Sequence, residues 1–427
     1  MGRFVPARWS PNLAAAGPRR ARAGGVYRAF QPDLLAGRPL SIDGRVAADI
    51  ADAERAMAAL DSAVSRDRGP HRLEVLARLL LRAEAVGSSR VEGLVVSARK
   101  LALADLDPAL DPSGRALDVV GNIRALQNAL ALAAQAGAFA TNDLRMIHRT
   151  LLAGTCDAVL GGVVRTEQNW IGGQTPLDAA FVPPPPDAVP ALLADLCAYL
   201  SSDDHPPLVQ AALAHAQFET IHPFADGNGR TGRALLQFVL RRRGLCARFV
   251  PPISLVLATR SKGYIAALTA TRTEGVPGSA SDLAGANSWL EFAADAARAA
   301  CAQARAYETR IDGLVEHWEK RVREVHGALR ADAAVWQLLT LLPAAPLVTV
   351  ASASTLSGRS ERALDAAFAQ LVAAGVLKQV GGRVRYRLFE AVGVFDFVTG
   401  VERQLASPSS DTRREPPGRP VPARPRR

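Results

Sequence analysis

Residues 222–233 read HPFADGNGRTGR, lodged between two apolar runs, VQAALAHAQFETI at 209–221 and ALLQFVLRRRG at 234–244. Both runs carry helical spacing, so the stretch between them is the start of a second helix with an unusual set of side chains in front of it. Gly227, Asn228 and Gly229 offer backbone amides with little bulk. Amides converging at a helix N-terminus, aided by the helix dipole, seat phosphate oxygens. Arg230 and Arg233 lie three apart on one helical face and can reach the same polyanion. Asp226 would repel phosphate alone; a hard divalent cation between them removes the conflict, and Mg²⁺ with phosphate oxygens is the commonest case. His222 is the group able to take a proton near neutral pH. The competing reading is a Gly-Asn turn between two core helices, with a capping aspartate and surface arginines. Nine positions specified together decide against it, since their chance coincidence is on the order of one in a billion at average residue frequencies.

Working outward, helical periodicity runs through 46–64, 71–93 and 116–137, which predicts a mainly α, helical-bundle fold. A break at 161–190, GGVVRTEQNWIGGQTPLDAAFVPPPPDAVP, carries glycines and tandem prolines that forbid a helix and predict a protruding hairpin or loop. Helices resume to about residue 325. The first forty residues, rich in Gly, Pro and Arg, read as an irregular arm packing through Phe4, Trp9, Tyr27 and Phe30. From about 330, three short helices precede two strand-like pieces around a Gly-Gly turn, the layout of a winged helix-turn-helix. The expected organisation is an N-terminal arm and helical region at 1–110, a core at 111–300, a linking helix at 301–329, the winged helix at 330–400 and a disordered basic tail at 401–427.

The chain has 427 residues and 48% apolar content, enough for a full core. Its formal charge of +10 comes entirely from the termini, because residues 31–403 hold 39 basic and 39 acidic groups. Bulk charge is therefore no argument for nucleic acid. Four scattered cysteines predict buried free thiols, with neither disulfides nor zinc. Without a long apolar span or a secretory leader, the expectation is a cytoplasmic protein with no membrane partner.

The stretch 222–233 resembles the signature of the Fic family, H-P-F-x-[DE]-G-N-G-R-x-x-R, at every specified position. The resemblance extends over roughly 40–300, through GVVRTEQNWIGG followed by FVPPPP and through PPISL, GYIAAL and SWLEFAADAA. It implies protein AMPylation, the transfer of AMP from ATP to a hydroxyl of a target protein, by a Fic-type bundle with a β-hairpin flap. By that pattern His222 is the base, Asp226 holds Mg²⁺, and Gly227, Asn228, Gly229, Arg230, Thr231, Gly232 and Arg233 form the ATP-binding stretch. Ala180, Phe181, Val182 and Pro183 would line up the target by strand addition. One departure is Val256, which falls where the family often has an adenine-contacting tyrosine; Tyr264 reads as core.

SSRVEG at 88–93, alone a helix end, also resembles the family's inhibitory motif [ST]-x-x-x-E-[GN], with Ser88, Glu92 and Gly93 in place. Glu92 paired with Arg233 would occupy the guanidinium meant for the γ-phosphate. Removal of AMP by the same site is an alternative. In the C-terminal module Arg359, Arg362, Lys378, Arg383 and Arg385 suit phosphate contacts flanking a groove, so a second alternative is a DNA-binding regulator with an ATP-sensing core. Further partners expected are the target protein, the chain itself as a modification substrate, and a second copy in a homo-oligomer. His148 and His215 read as packed or capping residues.

Overall fold

The computed structural model describes residues 2–11, 23–63, 70–111, 113–135, 137–381 and 387–406, and it is mainly helical. In chain order the elements are β1 (Gly2–Trp9), β2 (Gly25–Pro32), α1 (Gly44–Ala63), α2 (Pro70–Val91), α3 (Ala98–Leu106), α4 (Arg115–Ala133), α5 (Thr141–Leu152), α6 (Val189–Ser201), α7 (Pro207–Ile221), α8 (Asn228–Arg242), α9 (Ile253–Thr259), α10 (Ser261–Ala270), α11 (Ala280–His326), α12 (Ala334–Leu341), β3 (Leu347–Val348), α13 (Val350–Ser357), α14 (Glu361–Ala373), β4 (Leu377–Val380), β5 (Leu388–Ala391) and α15 (Val394–Ala406). They fall into two compact units, one of residues 1–59, 121–247 and 260–298, the other of 60–120, 248–259 and 299–427.

The first unit is built around α7 and α8. A helix apolar on one stripe lies at a surface; one buried on every face lies at a centre. Nearly all of α7 after Pro207 and all of α8 up to Leu240 are buried. Pro207 opens α7 where a missing N–H costs nothing, and Glu54 on α1 accepts the next amide, Leu208 N, at 2.9 Å. Gly232 allows α8 to approach α7 closely, since a Cβ there would meet Glu219 Oε1 at 2.5 Å and Phe218 Cδ1 at 2.9 Å.

The described parts of the N-terminal segment are not irregular. β1 and β2 pair antiparallel from Gly2 opposite Pro32 to Trp9 opposite Gly25. The proline, arginines and glycines that argue against order sit at strand positions a two-stranded ribbon tolerates. The four aromatics do pack: Phe4 meets Phe30 edge-on at 5.3 Å, Trp9 meets Trp170 at 5.4 Å, and Tyr27 is buried with Val182.

In the second unit α2 and α9 cross closely, because a Cβ on Gly87 would lie 2.4 Å from Leu255 N. Buried Glu84 accepts from both the amide and the hydroxyl of Ser254, which closes the same crossing. α2 ends in a Schellman turn: Gly93, at φ 81°, donates to Arg90 O at 3.0 Å and Leu94 to Ser89 O at 3.0 Å. Residues 334–391 contain three short helices and an antiparallel sheet of order β3-β5-β4. The boundary expected at residue 300 lies inside α11, which runs unbroken for 47 residues, and next to the division of the two units at 298–299. Residues 401–406 likewise extend α15, so the tail does not begin at 401; residues 407–427, Arg383 and Arg385 lie outside the described residues. Cys156 is exposed, against expectation, while Cys197, Cys246 and Cys301 are buried free thiols. No helix among the described residues is long and apolar enough to cross a membrane.

Candidate active site

The loop from His222 to Gly227 joins α7 to α8, and its conformation is set by a small number of buried contacts. His222 caps α7 in the left-handed region, at φ 49° and ψ 60°, the single non-glycine residue with positive φ among those described. That conformation costs a residue with a Cβ about 1–2 kcal/mol, so the surroundings must enforce it. Arg165 does so. Its guanidinium donates to His222 O (2.9 Å), Ile221 O (3.3 Å), Pro184 O (2.6 Å) and Glu167 O (3.1 Å), and burial pulls its pKa down to about 10. Asn169 adds a bond from Nδ2 to His222 O and another to Phe224 O, each 3.1 Å.

Asn228 closes the loop from the far side. Its Oδ1 accepts from Phe224 N at 2.9 Å and its Nδ2 donates to Phe224 O at 2.8 Å. Phe224 is fully buried and stacks on His148, 3.7 Å between centroids with the rings 1° from parallel. The tautomer of His148 follows from its two neighbours: Nδ1 accepts from Gly162 N at 2.9 Å, so Nε2 carries the hydrogen and donates to Asp226 O at 2.9 Å. Burial, chiefly, holds His148 down to about 4, hence neutral. His215 is likewise buried and neutral, pushed to about 3 by burial first and then by the Arg233 charge; it meets Tyr264 Oη at 2.7 Å. Both histidines are packed residues, as expected, yet His148 also fixes the loop. Tyr264 is core, and Val256 is buried on α9.

The loop opens onto the start of α8. Gly227 is its N-cap, at φ 75°, with no side chain capping the helix. The first amide with a helical acceptor is Thr231 N, to Gly227 O at 3.0 Å, which leaves the preceding amides as donors at the helix mouth. Gly227 is required on its inner side as well, since a Cβ would meet Leu151 Cδ2 at 2.9 Å and His148 Nε2 at 3.1 Å. Asp226 presents a half-exposed carboxylate that accepts from Arg230 Nη2 at 3.0 Å, while Arg230 and Arg233 are buried. Thr231 and Gly232 are turned inward, one fully buried and the other packed on α7, so within the stretch expected to bind ATP these two serve packing.

Among the described residues no cluster of three or more metal-ligating side chains exists. Mg²⁺ is commonly held by one or two carboxylates plus substrate phosphates, and the lone, accessible Asp226 fits that pattern and no other metal cage.

The flap differs from expectation. Ile171 and Phe181 form one isolated antiparallel bridge, closed by Gly172 and Gly173 at φ 71° and 72°. Phe181 uses its amide and carbonyl on Ile171, and Val182 O accepts from Phe30 N of β2 at 2.9 Å. Pro183 has no N–H. Both edges of Ala180–Pro183 are thus engaged, so a target strand cannot add along the whole segment as the sequence suggested. Beneath the flap, Arg272 places its guanidinium 3.7 Å over the Phe181 ring and donates to Glu219 O.

Ser88, Glu92 and Gly93 belong to the second unit: Ser88 is buried in the last turn of α2, and Glu92 follows in an exposed turn. In the C-terminal module Arg359 donates to Gln337 Oε1 and to Asp332 O, each at 3.0 Å, and Lys378 pairs with Glu390 at 2.7 Å. Arg362 is exposed. Two of the described cations expected to meet DNA are therefore already engaged within their own unit.

Arg165, Asn169 and Arg272 are the site residues that sequence reading missed. Arg165 and Asn169 stand inside the quoted break GGVVRTEQNW, where a lone arginine between apolar residues and a loop was the available signal.

Comparison with known proteins finds that residues 138–240 match the family described as Fic/DOC family and residues 47–131 the one described as Fic/DOC family N-terminal. Protein adenylyltransferase fic-1 of Caenorhabditis briggsae is 34% identical over 152 residues, covering 34% of this chain and 27% of that protein. Protein adenylyltransferase Fic of Drosophila virilis is 37% identical over 125 residues, 29% of this chain and 23% of that one. The chain thus spans about a quarter of the length of these relatives. A crystal structure of a Fic family protein from Desulfovibrio desulfuricans G20 has the same fold, with a TM-score of 0.51 at 21% identity over 83% of this chain and 98% of that one.

Proposed function

We propose that this chain, which carries a Fic/DOC family domain behind that family's N-terminal region, transfers AMP from ATP to a hydroxyl side chain of a target protein. The observation that carries the reading is a helix start with uncommitted amides, two arginines and an accessible carboxylate, all held rigid beside an imidazole in a strained backbone conformation. The target oxygen attacks the α-phosphorus, the bond to the bridging oxygen breaks, and pyrophosphate leaves. His222 takes the proton from the attacking hydroxyl. The amides of Asn228, Gly229 and Arg230 receive phosphate oxygens, and Arg230 and Arg233 take up charge that grows on the outer phosphates. Arg230 neutralises Asp226 until the nucleotide arrives, then exchanges that partner for phosphate. Asp226 would hold Mg²⁺, which neutralises triphosphate charge when bound.

The same reading assigns Ser88, Glu92 and Gly93 to inhibition. A carboxylate from Glu92 on Arg233 withdraws the guanidinium from the γ-phosphate and leaves ATP in an unproductive pose. The tip of the flap, rather than the whole of Ala180–Pro183, meets the target. The helices and three-stranded sheet of 334–391 support a winged helix-turn-helix, and the internal pairing of Arg359 and Lys378 favours protein docking over DNA for it.

Incubation with labelled ATP and Mg²⁺ tests the assignment. Glu92→Gly is expected to raise self-modification and His222→Ala to abolish it. Equal signal from the two variants refutes the roles given to both residues.

A further inference from the structure

The segment that grips the loop of the candidate site also brings a hydroxyl to it. Val164 bridges Phe224 antiparallel, and Arg165 N donates to Pro223 O at 2.9 Å. Carried one residue further, this register sets Thr166 opposite His222, and residues so paired share a face with Cβ atoms about 5 Å apart. Thr166 is tethered on both sides: the Arg165 guanidinium before it and Asn169 Nδ2 after it both donate to His222 O, at 2.9 and 3.1 Å. Thr166 is exposed, and its hydroxyl has no hydrogen-bond partner among the described residues. The other hydroxyls of the loop, the flap and β2 are committed or enclosed. Thr220 donates to Ala216 O at 2.8 Å, Thr175 to Asp178 Oδ1 at 2.9 Å and Tyr27 to Gln168 Oε1 at 3.4 Å, while Thr231 is fully buried.

We propose that Thr166 is the residue this chain modifies in itself, each chain acting on its own hydroxyl. The proposal rests on the reading above that the site transfers AMP. Thr166 Oγ bonds to the α-phosphorus of ATP, the bond from that phosphorus to its bridging oxygen breaks, pyrophosphate leaves with the electron pair, and the hydroxyl proton passes to His222. A nucleophile fixed beside its base needs no encounter, which gives it an effective concentration that a hydroxyl arriving from another molecule lacks. Because the register brings a single hydroxyl opposite the base, the reaction ends after one AMP per chain.

Incubation of the full Glu92→Gly chain with labelled ATP and Mg²⁺, followed by intact-mass measurement and fragmentation of the peptide that carries residue 166, tests the assignment. One adenylate per chain on Thr166 is expected, at a rate per chain unchanged by about tenfold dilution. Thr166→Ser should keep the label and Thr166→Val should lower it about tenfold or more, both on the Glu92→Gly background and both unfolding in urea as their parent does. A His222→Ala chain mixed with the active one should stay unlabelled. The proposal is overturned if the adenylate lies on another residue, if dilution slows labelling, if the His222→Ala chain acquires label, or if Thr166→Val is labelled as fast as its parent. Pyrophosphate release without adenylate on the chain overturns it as well, and each of these results leaves AMP transfer standing. A chain that neither carries adenylate nor releases pyrophosphate from ATP refutes the proposed function, and the assignment of Thr166 with it.

Discussion

His148 makes the loop of the candidate site sensitive to acid in a calculable way. Its pKa falls from the ordinary 6.5 to about 4, with burial the main cause. A group whose neutral form is favoured by folding binds more protons when unfolded, so the stability it contributes is complete above pH 6.5 and is lost as pH falls from there toward 4. Between about pH 7.5 and 5 the loss from His148 alone comes to about 2 kcal/mol. The carboxylates held below their usual range, Asp111, Asp178 and Asp282, titrate at lower pH than this window. His215 contributes equally to wild type and to any His148 variant, so it cancels. His148→Gln keeps a donor for Asp226 O but loses the acceptor for Gly162 N and the stack on Phe224, which costs about 2–3 kcal/mol at neutral pH. Glutamine does not titrate. Urea unfolding of both chains should therefore show a gap of about 2–3 kcal/mol at neutral pH that shrinks to within about 1 kcal/mol at pH 5. A gap of constant size refutes the reasoning, because it means His148 is not held neutral by its surroundings.

Arg165→Met strips the donors from the carbonyls of Ile221, His222, Pro184 and Glu167; a loss of about 3–5 kcal/mol in stability and about a hundredfold in the rate of AMP transfer is expected, with ATP affinity by calorimetry little changed. Gly232→Ala forces a methyl to within 2.5 Å of Glu219 Oε1 and should cost about 1–3 kcal/mol in urea unfolding. Gly87→Ala drives a methyl into the Leu255 backbone, so α2 must shift from α9; thermal unfolding should show a loss of about 1–3 kcal/mol, and labelled-ATP assays should show raised self-modification.

The core of the site is legible in the sequence because its chemistry-bearing residues are contiguous from His222 to Arg233, and the helix that follows fixes their spacing. What holds that stretch is not contiguous with it. Arg165 lies 57 positions before the His222 carbonyl it grips, and His148 78 positions before the Asp226 carbonyl. No local pattern encodes such pairs, since each arises from packing of elements whose register sequence does not specify. The β1–β2 ribbon escapes notice for a different reason: proline and arginine at strand positions obscure alternation that only pairing reveals. The flap illustrates the reverse, a piece read as extended from its own residues whose edges are taken by Ile171 and β2, neither predictable from the flap itself.

The backbone at His222 separates the cost of the site from its chemistry. A left-handed residue at the end of α7 would ordinarily be glycine, which adopts φ near 49° without penalty. Histidine is retained there although its Cβ raises the energy, and Arg165 and Asn169 both donate to its carbonyl to hold it in place. The strain has no structural use, because a helix stop needs no imidazole. It follows that two inactive variants should differ in stability in the order opposite to that at an ordinary helix position. His222→Gly removes both imidazole and strain; His222→Ala removes the imidazole and keeps the strain. The glycine variant is expected to be more stable than the alanine variant by about 1 kcal/mol in urea unfolding, while neither transfers AMP. Alanine proving the more stable would mean that the left-handed conformation is a consequence of the imidazole's own contacts, and that the surrounding donors do not impose it.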